Sequence, residues 1–154
     1  MNFSVTNYQK SGLVGRVLKS EFVKRINELD FPNNNLKSHS ISIVFVSNLE
    51  IKRLNNEWRQ KNSATDVLSF NLDDESLLGE LYISPEYVRL NYKRYERKYE
   101  IELLRLIVHG TLHLLGYNHA DEFVKNEKNT YTEEMFGIQE KLLSQLLLSL
   151  EIKI

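Results

Sequence analysis

Between Ile101 and Leu115 the chain carries a helical pattern that few folds can accommodate. Leu103, Leu104, Ile107, Val108, Leu112, Leu114 and Leu115 cover most of its circumference. At about 100° per residue, Glu102, Arg105, His109 and His113 fall on one narrow face. A helix that is apolar nearly all round has to be buried. A single polar stripe on it predicts one functional face turned into a cleft. Gly116 follows where a residue of positive φ would end such a helix.

The segments around this helix supply its cover. Phe3–Val5 alternates apolar and polar and predicts a first strand. Leu18, Phe22, Ile26 and Leu29 recur at helical spacing and predict a helix from about Gly12 to Leu29, broken by the turn chemistry of Phe31-Pro32-Asn33-Asn34-Asn35. Ile41–Val46 is rich in β-branched residues and predicts a strand. Ser47 with Glu50 three residues on is a capping box, so a helix starts there with Ile51, Leu54 and Trp58 inward. Val67–Phe70 and Leu81–Ile83 predict two further strands, joined by the acidic Asp73-Asp74-Glu75 loop. Ser84-Pro85 opens another helix, with Val88, Tyr92, Tyr95 and Tyr99 along one side. A loop from Tyr117 to about Thr130 and a last helix from about Tyr131 to Ser149 complete the chain. Strands and helices mix without strict alternation. The expected fold is one α+β domain over residues 1–154, with a mixed sheet of about four strands packed by helices.

At 154 residues, 42% hydrophobic and 27% charged, the chain can bury a core. It has no cysteine, so any metal must be held by His, Asp, Glu or backbone groups. The first eight residues lack a basic start followed by an apolar block, and no apolar run approaches the roughly 20 residues of a membrane span. A cytoplasmic protein with no membrane partner is expected. The formal net charge of −1 gives no general attraction for nucleic acid.

Three of the four histidines lie in one window, His109-Gly110-Thr111-Leu112-His113-Leu114-Leu115-Gly116-Tyr117-Asn118-His119. His109 and His113 are i and i+4, so their rings leave the same face one turn apart. That spacing can set two imidazole nitrogens on one metal ion, each at about 2.0–2.1 Å. A turn at Gly116 can then return His119 to the same point. Three ligands leave a coordination position for water, as in a catalytic site. The spacing H-x3-H-x2-G-x2-H is that of the metzincin motif, but the general-base Glu after the first His is here Gly110. A peptidase by the usual route is thereby disfavoured, while the metal site is not. His39 stands apart and reads as a structural residue at a strand start.

With these residues in view, the chain resembles the YbeY-type endoribonucleases, also called rRNA maturation factors. Their motif H-G-x-L-H-L-x-G-Y-D-H is met by His109-Gly110, Leu112-His113-Leu114, Gly116-Tyr117 and His119. Trp58-Arg59 followed by Thr65-Asp66-Val67-Leu68-Ser69-Phe70 resembles the family's R-x(n)-T-D-V-L-S-F block, and Leu78–Ser84 its L-G-D-I-x-I-S strand. The resemblance runs from about residue 40 to 140. Asn118, Glu80 and Asn71 depart from the usual Asp, Asp and Pro. The loss of charge at Asn118 bears on how the metal is tuned.

The resemblance implies a metal-dependent endoribonuclease specific for single-stranded RNA, acting with the ribosome in 16S ribosomal RNA 3′-end maturation and quality control. DNA is not an expected partner. It implies one divalent ion, zinc-like, on His109, His113 and His119, and a functional arginine at Arg59. A guanidinium fits the charge that gathers on phosphoryl oxygens in the transition state. By position alone, a surface cation favoured by a helix dipole would be the preferred reading of Arg59.

Asp66, Glu80 and Asp121 are the carboxylates near the motifs, but Asp66 equally suits a turn cap and Asp121 a solvated loop. Arg89, Lys93, Arg94, Arg97 and Lys98, interleaved with Tyr87, Tyr92, Tyr95 and Tyr99, could meet phosphates and stack bases. The shared face of Val88, Tyr92, Tyr95 and Tyr99 equally marks core. A metallopeptidase, and a non-catalytic ribosome-associated module with a structural metal, are the competing readings.

Overall fold

The computed structural model describes residues 1–10, 12–36, 38–72, 74–92, 98–117 and 128–153. Strands β1 (Asn2–Asn7), β2 (Ser40–Phe45), β3 (Val67–Asn71) and β4 (Leu77–Ile83) make one sheet in the order β1-β2-β4-β3. β1 and β4 both run parallel to β2, whereas β3 returns antiparallel to β4. The expected α+β class with a four-stranded mixed sheet is what forms. The strand order adds that β3 is an edge.

The two faces follow from alternation along β2. Ile41, Ile43 and Phe45 point one way and join Leu81 and Ile83 in the main core. That side is covered by α1 (Ser20–Asn27), α4 (Tyr99–Leu114) and α5 (Lys128–Ser149). Phe22 and Ile26 of α1, Leu103, Leu104, Ile107, Val108 and Leu112 of α4, and Leu142, Leu143, Leu146 and Leu147 of α5 fill it. Val44 and Val46 point the other way. With Leu68 they meet Ile51 and Leu54 of α2 (Asn48–Arg59) in a smaller cluster. A strand so placed is buried on both faces, which explains its run of β-branched residues.

Three helical expectations change in detail. The segment from Gly12 to Leu29 is not one helix. A 3₁₀ stretch over Gly12–Leu18 kinks at Gly15 (φ 34°, ψ −104°), Lys19 is extended, and α1 begins at Ser20. Two glycines near the start weaken the helix there, yet Val14, Val17, Phe22 and Ile26 still reach the core. Of the expected pattern, Phe22 and Ile26 are buried and Leu29 is partly buried, while the continuity it predicted does not form. The capping box at α2 is half made. Ser47 Oγ accepts from the Glu50 amide at 3.2 Å, while the Glu50 carboxylate is bonded to Arg53. Helix α3 (Pro85–Asn91), capped by Ser84 Oγ, ends before Tyr92. Tyr99 therefore belongs to the start of α4, and Lys93 to Arg97 lie outside the described residues.

Helix α4 is buried as its sequence required. From Ile101 to Leu114 every residue is buried except Arg105, His109 and His113, which are half-buried. Glu102, on the same stripe, is fully buried and accepts from Arg105 Nε at 2.8 Å. Such a carboxylate needs a bonded counter-charge to stay inside.

Candidate functional site

The end of α4 is built by a defined stop. Gly116 has φ 101°, its amide bonds to the His113 carbonyl, and the Tyr117 amide bonds to Leu112 O. These are the two bonds of a Schellman motif. Asn71 on β3 adds a third, donating from Nδ2 to Leu114 O at 2.9 Å. The family-like motif thus turns away from the helix directly after the second histidine.

His109 and His113 are brought together. Their Nε2 atoms are 3.0 Å apart and their ring centroids 4.6 Å, with the rings 83° from coplanar. Two nitrogens that close can share one cation at bond lengths of about 2.0–2.1 Å. His109 Nδ1 faces away, 2.7 Å from Oε1 of Gln139 on α5. A neutral imidazole that donates from Nδ1 keeps a lone pair on Nε2. The donor set therefore suits a borderline-soft divalent ion. His119, Asn118 and Asp121 lie outside the described residues. Among the described residues no group of three His, Cys, Asp or Glu could hold a metal ion.

Gly110 sits where α4 presses on the sheet. A Cβ there would be 2.8 Å from Leu81 Cδ2 and 3.2 Å from Ser69 Oγ. Any side chain here would require Leu81 and Ser69 to shift, and the Glu that peptidase chemistry would need is larger still. Gly79 repeats the pattern from the sheet side, where a Cβ would meet Phe70 O at 2.5 Å and Leu114 Cδ2 at 2.6 Å.

Arg59 is exposed in the last turn of α2. α2 covers the face of the sheet opposite α4, so Arg59 and the histidine pair belong to helices on different faces. Neighbours of both pack on β3. Trp58, expected inward beside Ile51 and Leu54, is instead exposed at the end of α2 and packs on Phe70 from one face, with ring centroids 6.2 Å apart. Gly110 and Leu114 meet Ser69 and Asn71 from the other.

The other candidates sort by face. Glu80 accepts from the Tyr82 hydroxyl on the α2 side, away from the histidines. Asp66 Oδ1 accepts from the Val67 amide at 2.8 Å and from Thr65 Oγ1, as a turn cap does. Arg89 stands 5.3 Å over the Tyr92 ring. The Tyr99 hydroxyl donates to Leu13 O at 2.8 Å, and burial pushes its phenol up to about 12. Tyr99 is therefore a packing residue rather than a stacking platform. His39 directly precedes β2 as expected, with Nδ1 buried.

Gln139 was not singled out by the sequence reading. One signal was present: it is an amide within the apolar stripe of α5, with Met135, Leu142, Leu143 and Leu146 at i−4, i+3, i+4 and i+7, all buried.

A family model described as endoribonuclease YbeY matches residues 4–147. The chain belongs to the YbeY family. That match reaches from β1 into α5 and so includes Arg59, the histidine window and Gln139. Proteins named endoribonuclease YbeY are 34% identical in Thermosipho melanesiensis, over 131 residues covering 84% of this chain and 89% of that one. In Finegoldia magna one is 34% identical over 144 residues, covering 88% and 94%. In Ureaplasma urealyticum one is 35% identical over 150 residues, covering 95% and 92%. A solution structure of a protein from Thermotoga maritima is similar at a TM-score of 0.63 and 28% identity, covering 97% of this YbeY-family chain and 91% of the other. Among the described residues no helix is long and apolar enough to cross a membrane.

Proposed function

We propose that this chain is a metal-dependent endoribonuclease that cleaves single-stranded RNA. In this reading residues 1–154 act as one catalytic domain on ribosomal RNA precursors, in 16S ribosomal RNA 3′-end maturation and ribosome quality control, in the cytoplasm. Family membership supports RNA cleavage. The observation that carries the metal is the pair of Nε2 atoms held 3.0 Å apart on the polar stripe of a buried helix.

His109, His113 and His119 would hold one divalent ion, with zinc the best match to an all-imidazole set. When bound, such an ion supplies an acidified water, a polarised phosphoryl oxygen, or both. The chain's own residues do the rest. The rigid turn after Leu114 fixes where the third imidazole starts its return. The apolar flanks of α4 exclude water from all but the stripe. Arg59 presents a planar fork of donors to phosphoryl oxygens, and a strand of RNA laid across the β3 edge would reach it from the histidine side. Gly110 leaves no carboxylate after the first histidine, which argues against peptide hydrolysis.

The test is His113→Ala. The variant is expected to fold, to lose stoichiometric zinc, and to lose cleavage of a single-stranded ribosomal RNA fragment. Arg59→Ala, purified identically, reports contaminating nuclease. Full cleavage by His113→Ala overturns the proposal.

A further inference from the structure

Among the described residues, the polar stripe of α4 is met by Gln139 of α5. Gln139 is 4% exposed and sits in an otherwise apolar stripe, so its amide is costly unless bonded. Its Oε1 lies 2.7 Å from His109 Nδ1. A carbonyl oxygen can only accept, so at this distance the imidazole nitrogen carries the proton. A neutral imidazole has one N–H, and Nε2 is then the bare nitrogen. That nitrogen faces His113 Nε2 at 3.0 Å.

We infer that Gln139 is a positioning residue that locks His109 in its Nδ1–H tautomer and so presents Nε2 as a lone pair towards a divalent cation; the second half rests on the metal-dependent reading above. A histidine side chain free in water favours the opposite tautomer, with the proton on Nε2, and that nitrogen cannot bind a cation without first losing it. The buried amide removes that step before any ion arrives. A neutral acceptor does this without adding charge to the site. The partner comes from a helix that begins beyond the histidine window, so α5 is needed for the site as well as for the core.

The experiment uses the full chain, labelled with ¹⁵N at histidine and freed of metal. Long-range proton–nitrogen correlations identify which ring nitrogen of His109 carries the proton. The expected result for the parent protein is Nδ1–H. Gln139→Leu keeps the volume and removes the acceptor, and Gln139→Glu keeps an acceptor. The Leu variant is expected to move His109 towards Nε2–H with its backbone amide spectrum otherwise retained. The Glu variant is expected to keep Nδ1–H. Titration with Co²⁺ alone, followed by its visible absorption, should show affinity falling about 10–100-fold in the Leu variant and restored by Glu.

A parent protein with Nε2–H, or a Leu variant with an unchanged tautomer, overturns the inference. The first of these decides even where the Leu variant does not fold. The expected tautomers in parent and Leu variant, together with a parent protein that takes up no cobalt, overturn the metal reading and leave the tautomer assignment standing. Equal cobalt affinity in the parent and Leu proteins overturns the role of Gln139 towards the ion.

Discussion

Gly110 carries a tight constraint on α4, because a missing side chain lets the histidine helix lie against β3 and β4. Leu81, whose Cδ2 would lie 2.8 Å from an added Cβ, is itself fully buried and would have to shift within packed surroundings. Gly110→Ala is expected to destabilise the protein. Overpacking costs about 1–3 kcal/mol and outweighs the roughly 0.5–1 kcal/mol that Ala gains over Gly in a helix. Gly137 in α5 is the control, since a Cβ there meets nothing within 4 Å. Gly137→Ala is expected to stabilise by about 0.5–1 kcal/mol. Urea midpoints moving in opposite directions, with unchanged slopes, would bear this out. Two midpoints moving together would refute it. In the sequence, Gly110 is legible as a lost general base. Its steric reason is not, because Leu81 and Ser69 become its neighbours only once the sheet is assembled. Gln139 was hidden for the same reason: its partner lies 30 residues away on another helix.

At the level of elements, periodicity located burial better than it located ends. The apolar circumference of α4 read as a buried helix with one polar face, and that is its environment. Gly116 read as its stop, and it adopts positive φ. The helix from Gly12 to Leu29 failed because periodicity counts apolar positions and does not register a kink between them. Besides Val14 and Val17 in the core, the 3₁₀ segment has a contact no local pattern contains: Tyr99 at the start of α4 donates to Leu13 O across 86 residues. Tyr99→Phe removes that donor and should cost about 0.5–1.5 kcal/mol. It also carries a pH signature. Burial raises the folded phenol from 10.0 to about 12. The native state therefore holds this proton more tightly than the unfolded chain. The stability from it is complete below pH 10.0 and is lost as pH rises towards about 12. The stability gap between the parent and Tyr99→Phe should narrow across that window, and absorbance titration should lose one late-ionising phenol. A gap that stays constant to the top of the window would show that Tyr99 ionises normally.

For the whole molecule, strand order sets two distant motifs against opposite faces of one strand. The histidine window and the Trp58-Arg59 block lie on helices covering opposite faces of the sheet. Nothing in either segment shows that they share a strand. Each packs against β3, which occupies the edge of the order β1-β2-β4-β3. Its alternate residues then face α2 through Phe70 and α4 through Ser69 and Asn71. The class of fold was legible from element types, whereas this convergence depends on pairing between segments far apart in sequence. It also separates two contributions that activity alone would merge. Arg59 is exposed in the last turn of α2, and neither core uses it. Arg59→Ala should therefore change stability by no more than about 0.5 kcal/mol and leave cobalt affinity unaltered. If its guanidinium meets phosphoryl charge in the transition state, RNA cleavage should fall about 10²–10³-fold, mostly in kcat. Arg59→Lys keeps the charge but not the planar fork, so it should recover only part of that loss. Measuring kcat, metal affinity and the urea midpoint on all three proteins separates the roles. Wild-type cleavage by Arg59→Ala would remove Arg59 from the reaction. Loss of cobalt binding in that variant would mean that α2 helps to build the metal site instead.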